Sequence, residues 1–192
     1  MKIAILILAA GSSSRMGTPK QLLPYKESTI LGTVVENALG SNTNDVFVLL
    51  GSNADTIQKN INKSVEIIIN NTFEKGLSSS IVKGIISLLD YDAVLIALGD
   101  QPHISFDYYN QMISELKKHP NHSITSQYKN HKGVPALFPK QYFLDLLKLN
   151  GDYGAKALLN SDTILTKTID YSVNLFDIDT PEDYEKLINN TK

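Results

Sequence analysis

Three stretches of the chain bring together residue types suited to phosphate and divalent cations. The first reads Gly11-Ser12-Ser13-Ser14-Arg15-Met16-Gly17-Thr18-Pro19-Lys20. Its small residues let backbone N–H groups approach an anion closely, and Arg15 and Lys20 add positive charge. Arg15 is the only arginine in a chain otherwise rich in lysine. A lone arginine fits bidentate binding of phosphate, which the point charge of lysine cannot supply, and fits equally an unselected position on a surface loop. Neither common phosphate motif is present. Gly11 and Gly17 lack the spacing of the dinucleotide fingerprint, and Thr18 and Pro19 intervene before Lys20 where a P-loop would continue into Gly-Lys-Ser/Thr.

The second stretch, Leu98-Gly99-Asp100-Gln101-Pro102, sets a carboxylate just past an apolar run. Asp100 there can hold Mg²⁺, which takes one or two carboxylates and fills its remaining positions with phosphate and water. An ordinary turn on the approach to a helix uses the same residues. The third, Phe176-Asp177-Ile178-Asp179-Thr180-Pro181-Glu182-Asp183, turns Asp177 and Asp179 to the same side of an extended segment. Asp179 either supplements helix N-terminal electrostatics beside the cap Thr180 or gives a second ligand to a cation held by Asp100. Lys75-Gly76-Leu77-Ser78-Ser79-Ser80 leads into a helix, and its serines serve a ribose, a base edge or the helix cap. The histidines say less. His119 and His122 flank a Pro-Asn turn, His131 precedes Gly133, and His103 lies near Asp100 in a polar loop. No Ser/His/Asp or Cys/His arrangement can be assembled.

Residues so far apart need a scaffold that gathers loops. The 192 residues, 42% hydrophobic and 20% charged, suit one globular domain spanning 1–192 with a sizeable core. Lys and Arg number 18 against 20 Asp and Glu, and the net charge of −2 excludes a broad basic face for nucleic acid. No apolar run approaches the ~20 residues that span a bilayer. The N-terminal run Met1–Ala10 passes straight into the Gly/Ser loop and reads as a buried strand rather than a signal peptide. With no cysteine there is no disulfide framework, thiolate nucleophile or cysteine metal site. A cytoplasmic protein without nucleic-acid or membrane partners is expected.

Apolar runs predict strands at Ile3–Ala9, Val46–Leu50, Val65–Ile69 and Ala93–Leu98. Between and after them, helices are predicted from the Thr29 cap to Gly40, at Ala54–Ile61, at Ser78–Leu89 and at Phe106–Leu116. Further on, Ser123–Tyr128, Val134–Phe138 and Thr163–Ile169 read as short strands, and Pro139–Leu149 and Gly154–Asn160 as helices, with a last helix opened by Thr180-Pro181. The alternation predicts an α/β fold, a mostly parallel Rossmann-like sheet covered on both faces in a three-layer α/β/α sandwich. In such sheets ligands bind beyond the carboxyl ends of the strands. That rule selects the loops Ala10–Lys20, Asn70–Gly76 and Gly99–Ser105.

Leu8-Ala9-Ala10-Gly11-Ser12-Ser13-Ser14-Arg15-Met16-Gly17, followed by Lys20 and Leu22-Leu23-Pro24, resembles the signature loop of the MobA-like nucleotidyltransferases with a glycosyltransferase-A-like fold, the nucleotide-diphospho-sugar transferase type. Within them the chain is most similar to the molybdenum cofactor cytidylyltransferases. The stretches that carry this are Gly76–Ser80, Gly99–Pro102, Gly133–Phe138, Gly151-Asp152-Tyr153-Gly154-Ala155-Lys156 and Asp177–Tyr184, in the family's order along the chain.

The resemblance implies transfer of a nucleoside monophosphate from an NTP to a substrate phosphate, with release of pyrophosphate. It makes Arg15, Lys20 and Asp100 catalytic, Arg15 toward the leaving pyrophosphate and Lys20 toward the reacting phosphoryl group. It assigns nucleotide binding to Leu8, Ala9, Ala10, Gly11, Ser12, Ser13, Arg15, Lys20, Ser78, Ser79, Ser80 and Asp100. Mg²⁺, or Mn²⁺ in its place, is expected on Asp100 and Asp179. Acceptor binding falls to Gln101, Gly133, Pro135, Asp152 and Gly154. Ala10 stands where related guanylyltransferases carry glycine, which favours CTP. Val134 and Lys156 depart from the histidine and arginine common at those positions, and Lys lacks the fork of Arg. The function expected is CMP transfer from CTP to a molybdopterin-type cofactor, with a molybdenum hydroxylase as recipient. The alternatives are GTP as donor, a sugar or alditol phosphate as acceptor, and a non-catalytic chaperone that holds the cofactor for insertion.

Overall fold

The computed structural model describes residues 1–14, 16–61, 64–169 and 178–189. Arg15 and Asp177 therefore lie outside the described residues. The strands are β1 Ile3–Ala9, β2 Pro24–Tyr25, β3 Ser28–Thr29, β4 Asp45–Leu50, β5 Glu66–Ile69, β6 Ala93–Leu98, β7 Ser123–Gln127, β8 Lys132–Pro139 and β9 Thr166–Ile169. The helices are α1 Ile30–Leu39, α2 Ala54–Gln58, α3 Leu77–Ser87, α4 Phe106–Lys118, α5 Phe143–Leu146, α6 Lys156–Leu159 and α7 Pro181–Asn189.

Seven strands form one sheet in the order β5-β4-β1-β6-β8-β7-β9, and β2 pairs with β3 in a separate hairpin. β1 is parallel to both of its neighbours, β4 and β6. Among the described strands only β8 runs against the rest of the sheet, antiparallel to β6 and β7. All seven residues of β1 are buried, which is why its sequence is a continuous apolar run rather than an alternation. Its side chains still divide by parity. Ile3, Ile5 and Ile7 meet α1 and α4 on one face, while Ala4, Leu6 and Leu8 meet α3, α5 and α6 on the other. The result is an α/β sandwich with a helical layer on each side of a mostly parallel sheet.

α1 starts where the sequence marks it: the Thr29 hydroxyl accepts from Gly32 N at 3.0 Å, and Gly40 follows the last turn. Several predicted helices are shorter, among them α3, which ends at Ser87 rather than Leu89, and α6, which keeps Lys156–Leu159 of the predicted Gly154–Asn160. Asn53 takes a left-handed conformation at φ 56°, and α2 ends at Gln58 rather than Ile61. Pro139 does not open a helix. It ends β8 by pairing with Ala93, and the chain then makes a 3-10 turn at Lys140–Tyr142 before α5. The hairpin β2–β3 was not predicted, because two-residue strands carry no periodicity.

This hairpin matters for the last segment. Tyr25 and Ile30 form a small apolar cluster with Ile178 and Leu187, and the Tyr184 hydroxyl donates to Pro24 O at 2.7 Å. α7 is thereby held against the start of the chain. Among the described residues no helix is long and apolar enough to cross a membrane.

Candidate functional site

β1 is flanked on one side by β4 and on the other by β6, so the connections leaving it and its neighbours diverge to opposite faces. A crevice forms at such a switch point. Here it is a cleft of about 600 Å³ beyond the carboxyl ends of the strands. The loop after β1 contributes Ala10, Gly11, Ser12 and Lys20, the segment before α3 contributes Phe73 and Glu74, and the end of β6 contributes Asp100. All three loops selected from the sequence reach it.

The first loop is built around a residue the sequence reading did not single out. Gln21 is 3% exposed, and its side-chain amide donates to Ala9 O and Gly11 O at 3.1 Å each. Its carbonyl end accepts from the Ser13 hydroxyl at 3.2 Å, and that same hydroxyl oxygen accepts from Lys20 N at 3.1 Å. Ser13 itself sits at φ 54°, a strained region for a residue with a side chain. Gln21 thus ties both ends of the loop together. Residue type alone gave no signal for this, since a glutamine between Lys20 and an apolar pair reads as surface.

Lys20 lies in the 3-10 turn Lys20–Leu22 and points into the cleft. Its ammonium donates to Asp100 Oδ2 at 2.6 Å, to Asp179 Oδ1 at 3.0 Å and to Ile178 O at 2.9 Å. Burial pulls its pKa down, but the carboxylates of Asp100 and Asp179 more than reverse this and hold it above the usual lysine value. Asp179 is fixed by the start of α7, where Asp183 and Thr180 bond each other reciprocally and Asp183 Oδ2 also accepts from Thr180 N at 3.1 Å.

Three predicted residues, Lys20, Asp100 and Asp179, are therefore in direct contact. The second oxygen of Asp100, Oδ1, is buried and has no hydrogen-bond partner among the described residues. A buried carboxylate oxygen with open lone pairs suits a hard cation that accepts one or two protein carboxylates and takes its other ligands from phosphate and water. Among the described residues no group of three His, Asp or Glu side chains surrounds such a position. The pair Asp100 and Asp179 fits a cation that arrives with a polyphosphate.

The three serines before α3 divide. Ser80 lines the cleft and accepts from Asn70 Nδ2 at 3.1 Å. Ser78 is fully buried and donates to Asn150 O at 3.0 Å, and Ser79 donates to Gly76 O at 2.8 Å. Those two hydroxyls close the loop. Gly76, at φ +94°, has no room for a side chain, because a Cβ would stand 2.2 Å from Asp152 Oδ1. This close approach sets Asp152 on the rim of the cleft.

The other residues expected to bind the acceptor do not line the cleft. Gln101 is 1% exposed, and its amide donates to the Tyr128 hydroxyl at 3.0 Å. Gly133 is packed so closely under Tyr128 that a Cβ would lie 2.7 Å from the ring, and Pro135 is buried beyond a cis Val134–Pro135 bond. Tyr128 donates to Val134 O, so position 134 contributes through its backbone. Gly154 packs against Leu77, where a Cβ would lie 2.7 Å from Leu77 Cδ2.

Residues 5–166 match the MobA-like NTP transferase domain. The chain is 29% identical over 184 residues to the molybdenum cofactor cytidylyltransferase of Escherichia coli (strain K12), covering 95% of this chain and 93% of that protein. It is 27% identical over 195 residues to the nicotine blue oxidoreductase of Paenarthrobacter nicotinovorans, covering 95% of each. Among solved structures, Rv0371c from Mycobacterium tuberculosis H37Rv in complex with manganese matches with a TM-score of 0.80 at 25% identity, over 98% of this chain and 99% of that one.

Proposed function

The chain belongs to the MobA-like NTP transferase domain family, and from that premise we propose that it transfers CMP from CTP to the terminal phosphate of a molybdopterin-type cofactor, releasing pyrophosphate. The observation that carries the reading is the meeting of Lys20 with Asp100 and Asp179 beside the backbone of Gly11 and Ser12. One cationic and two anionic groups at the mouth of a Gly/Ser loop suit a polyphosphate with its counter-ion, and serve no apolar ligand.

In the reaction a phosphate oxygen of the acceptor attacks the α-phosphorus of CTP. A new P–O bond forms as the bond to the β-phosphate breaks, and the electron pair leaves with pyrophosphate. A phosphate monoester has its second pKa near ~6, so the nucleophile is already ionised at neutral pH and needs no general base. The protein's work is positioning and charge neutralisation. Backbone N–H groups of the first loop, held in place by Gln21, receive the triphosphate. Lys20 turns its ammonium from the carboxylates to the reacting phosphoryl group, and Arg15 takes the leaving pyrophosphate. Asp100 and Asp179 would hold a Mg²⁺ or Mn²⁺ ion, which offsets charge on the phosphate oxygens. That the related Rv0371c was solved in complex with manganese supports a divalent ion as cofactor.

Ala10 forms the floor of the base site and narrows it toward the smaller cytosine, with Ser80 and Asp152 at the edges. The acceptor lies on the Asp100–Gln101 side, where Gln101 holds the Tyr128 hydroxyl that in turn donates to Val134 O. The test is pyrophosphate release with each NTP in turn, with and without molybdenum-loaded molybdopterin. Release with CTP alone, dependent on the pterin, is expected. Release that prefers GTP, or that requires a sugar phosphate instead, would replace the assignment of donor or acceptor.

A further inference from the structure

A second cavity of about 440 Å³ lies behind the first, within the ~300–1,000 Å³ range of small-molecule sites. Val82, Ile86, Leu147 and Leu149 give it an apolar lining, to which Lys75 and Lys83 add positive charge. Neither lysine side chain has an ion-pair partner among the described residues.

The two cavities share one wall, and three chain segments build it by turning neighbouring residues to opposite sides. In the 3-10 turn Phe73–Lys75, Phe73 and Glu74 face the first cleft while Lys75 faces the second cavity. At the start of α3, Leu77 and Ser80 face the first while Ser79 and Lys83 face the second. Asp152 and Gly151 divide in the same way. Asn70, 2% exposed, pins the wall from inside: its amide nitrogen donates to Ser79 Oγ at 3.0 Å and to Ser80 Oγ at 3.1 Å, one serine on each side. Its oxygen accepts from Thr72 N at 3.0 Å and from the Thr72 hydroxyl at 2.9 Å, at the entry to the turn.

We propose that the second cavity binds a small organic anion with an apolar ring or chain, and that its occupancy shifts nucleotide affinity through the shared wall. Two lysines with no ion-pair partner among the described residues, lining a cavity with four aliphatic side chains, are complementary to that chemistry and to neither a neutral sugar nor a cation. An anion drawing on Lys75 acts on the turn whose preceding two residues line the first cleft. Linkage makes the effect reciprocal, so the nucleotide alters the affinity of the anion by the same factor. The site stands on its own geometry, whereas the coupling rests on the reading of the first cleft as a nucleotide site.

The probe is anilinonaphthalene sulfonate, an aromatic anion, titrated by fluorescence into the full chain with and without excess CTP. CTP affinity is measured by calorimetry at zero and saturating dye. Two variants outside the nucleotide machinery, Lys83→Glu on the exposed face of α3 and Val82→Trp filling the apolar side, are checked for folding by thermal melting. The expected result is saturable binding that persists with CTP bound, weakens by about tenfold in each variant, and shifts CTP affinity by about fivefold. Displacement of the dye by CTP in simple competition would overturn the proposal. So would binding that Lys83→Glu leaves unchanged, or a CTP affinity indifferent to the dye. If no NTP binds at all, the reading of the first cleft fails, and the variants still decide whether the second cavity takes the anion.

Discussion

The ammonium of Lys20 lies 2.6 Å from Asp100 Oδ2, across 80 residues of sequence. This single contact joins the loop after β1 to the end of β6, and through Asp179 it reaches the segment before α7. Lys20 engages Asp100 through Oδ2 only and leaves Oδ1 open, so in the proposed reaction a divalent cation would take Oδ1 while the triphosphate draws the ammonium toward itself.

Asp100→Asn removes the stronger partner of Lys20. Turnover is expected to fall by at least about 100-fold, the usual scale for losing one preorganised electrostatic group. Stability should fall by about 1–3 kcal/mol, since the remaining ammonium is nearly buried. Asp179 is 40% exposed, so Asp179→Asn should lower turnover comparably while costing under about 1 kcal/mol. Steady-state kinetics and urea midpoints separate the two effects. Because the folded state raises the Lys20 pKa above its ordinary 10.5, the stability from this contact is present below that pH and is lost as the pH rises beyond it.

Gln21→Leu leaves Ala9 O and Gly11 O without their side-chain donor. A loss of about 1–3 kcal/mol in stability is expected. The functional signature is a KM for the NTP raised by about tenfold with kcat changed much less. Gln21→Glu should not rescue it, because carboxylate oxygens would face the same two carbonyls. A kcat that collapses with KM unchanged would show that the loop is set by other contacts.

Ala10 and Phe73 both adjoin Gly51. A Cβ at Gly51 would lie 2.7 Å from Phe73 Cβ and 2.9 Å from Ala10 Cβ. Gly51→Ala therefore drives the Phe73 ring toward the cleft and should weaken CTP binding by about tenfold, at a cost of about 1–3 kcal/mol in stability. Ala10→Gly does the reverse, opening the floor so that discrimination between CTP and GTP declines. Titration of each variant with both nucleotides reads the two shifts.

His103 gives a pH dependence of known sign. Burial lowers its pKa to about 4 from 6.5, so the unfolded chain binds a proton in that window that the folded chain refuses. The stability is complete above about pH 6.5 and declines as the pH falls toward about 4, by at most ~3 kcal/mol. His103→Asn should flatten that part of the urea-midpoint profile. At neutral pH the imidazole is uncharged, consistent with a reaction that asks no histidine for a proton.

Much of this architecture is legible from side-chain patterning. β1 and β6 have the same bounds in sequence and structure because each is an uninterrupted apolar run between polar loops. Thr29 announces α1 because a hydroxyl before an apolar helical stripe has a specific task. Lys20, Asp100 and Asp179 each stand out as charges at loop ends, where the sheet rule says ligands bind, but nothing in the sequence announces their mutual contact. What escaped is structure held by polar side-chain contacts within and between loops. Gln21 and Asn70 are buried and Tyr128 partly so, and their hydrogen-bond partners follow no helical or strand spacing, so no periodicity reveals them. Ser78 and Ser79 look like ligand donors in sequence, yet both close a turn through backbone oxygens. Pro139 looks like a helix start, but β6 claims it as a strand partner.

The central claim is that this cleft moves a nucleotidyl group onto a phosphate. It is tested most directly by following label from α-phosphate-labelled CTP onto molybdenum-loaded molybdopterin, with wild-type protein and Asp100→Ala side by side. The account predicts a labelled dinucleotide product and equimolar pyrophosphate from the wild type, and almost none from the variant. Equal transfer by both proteins, or wild-type consumption of CTP with no label on the pterin, would contradict it.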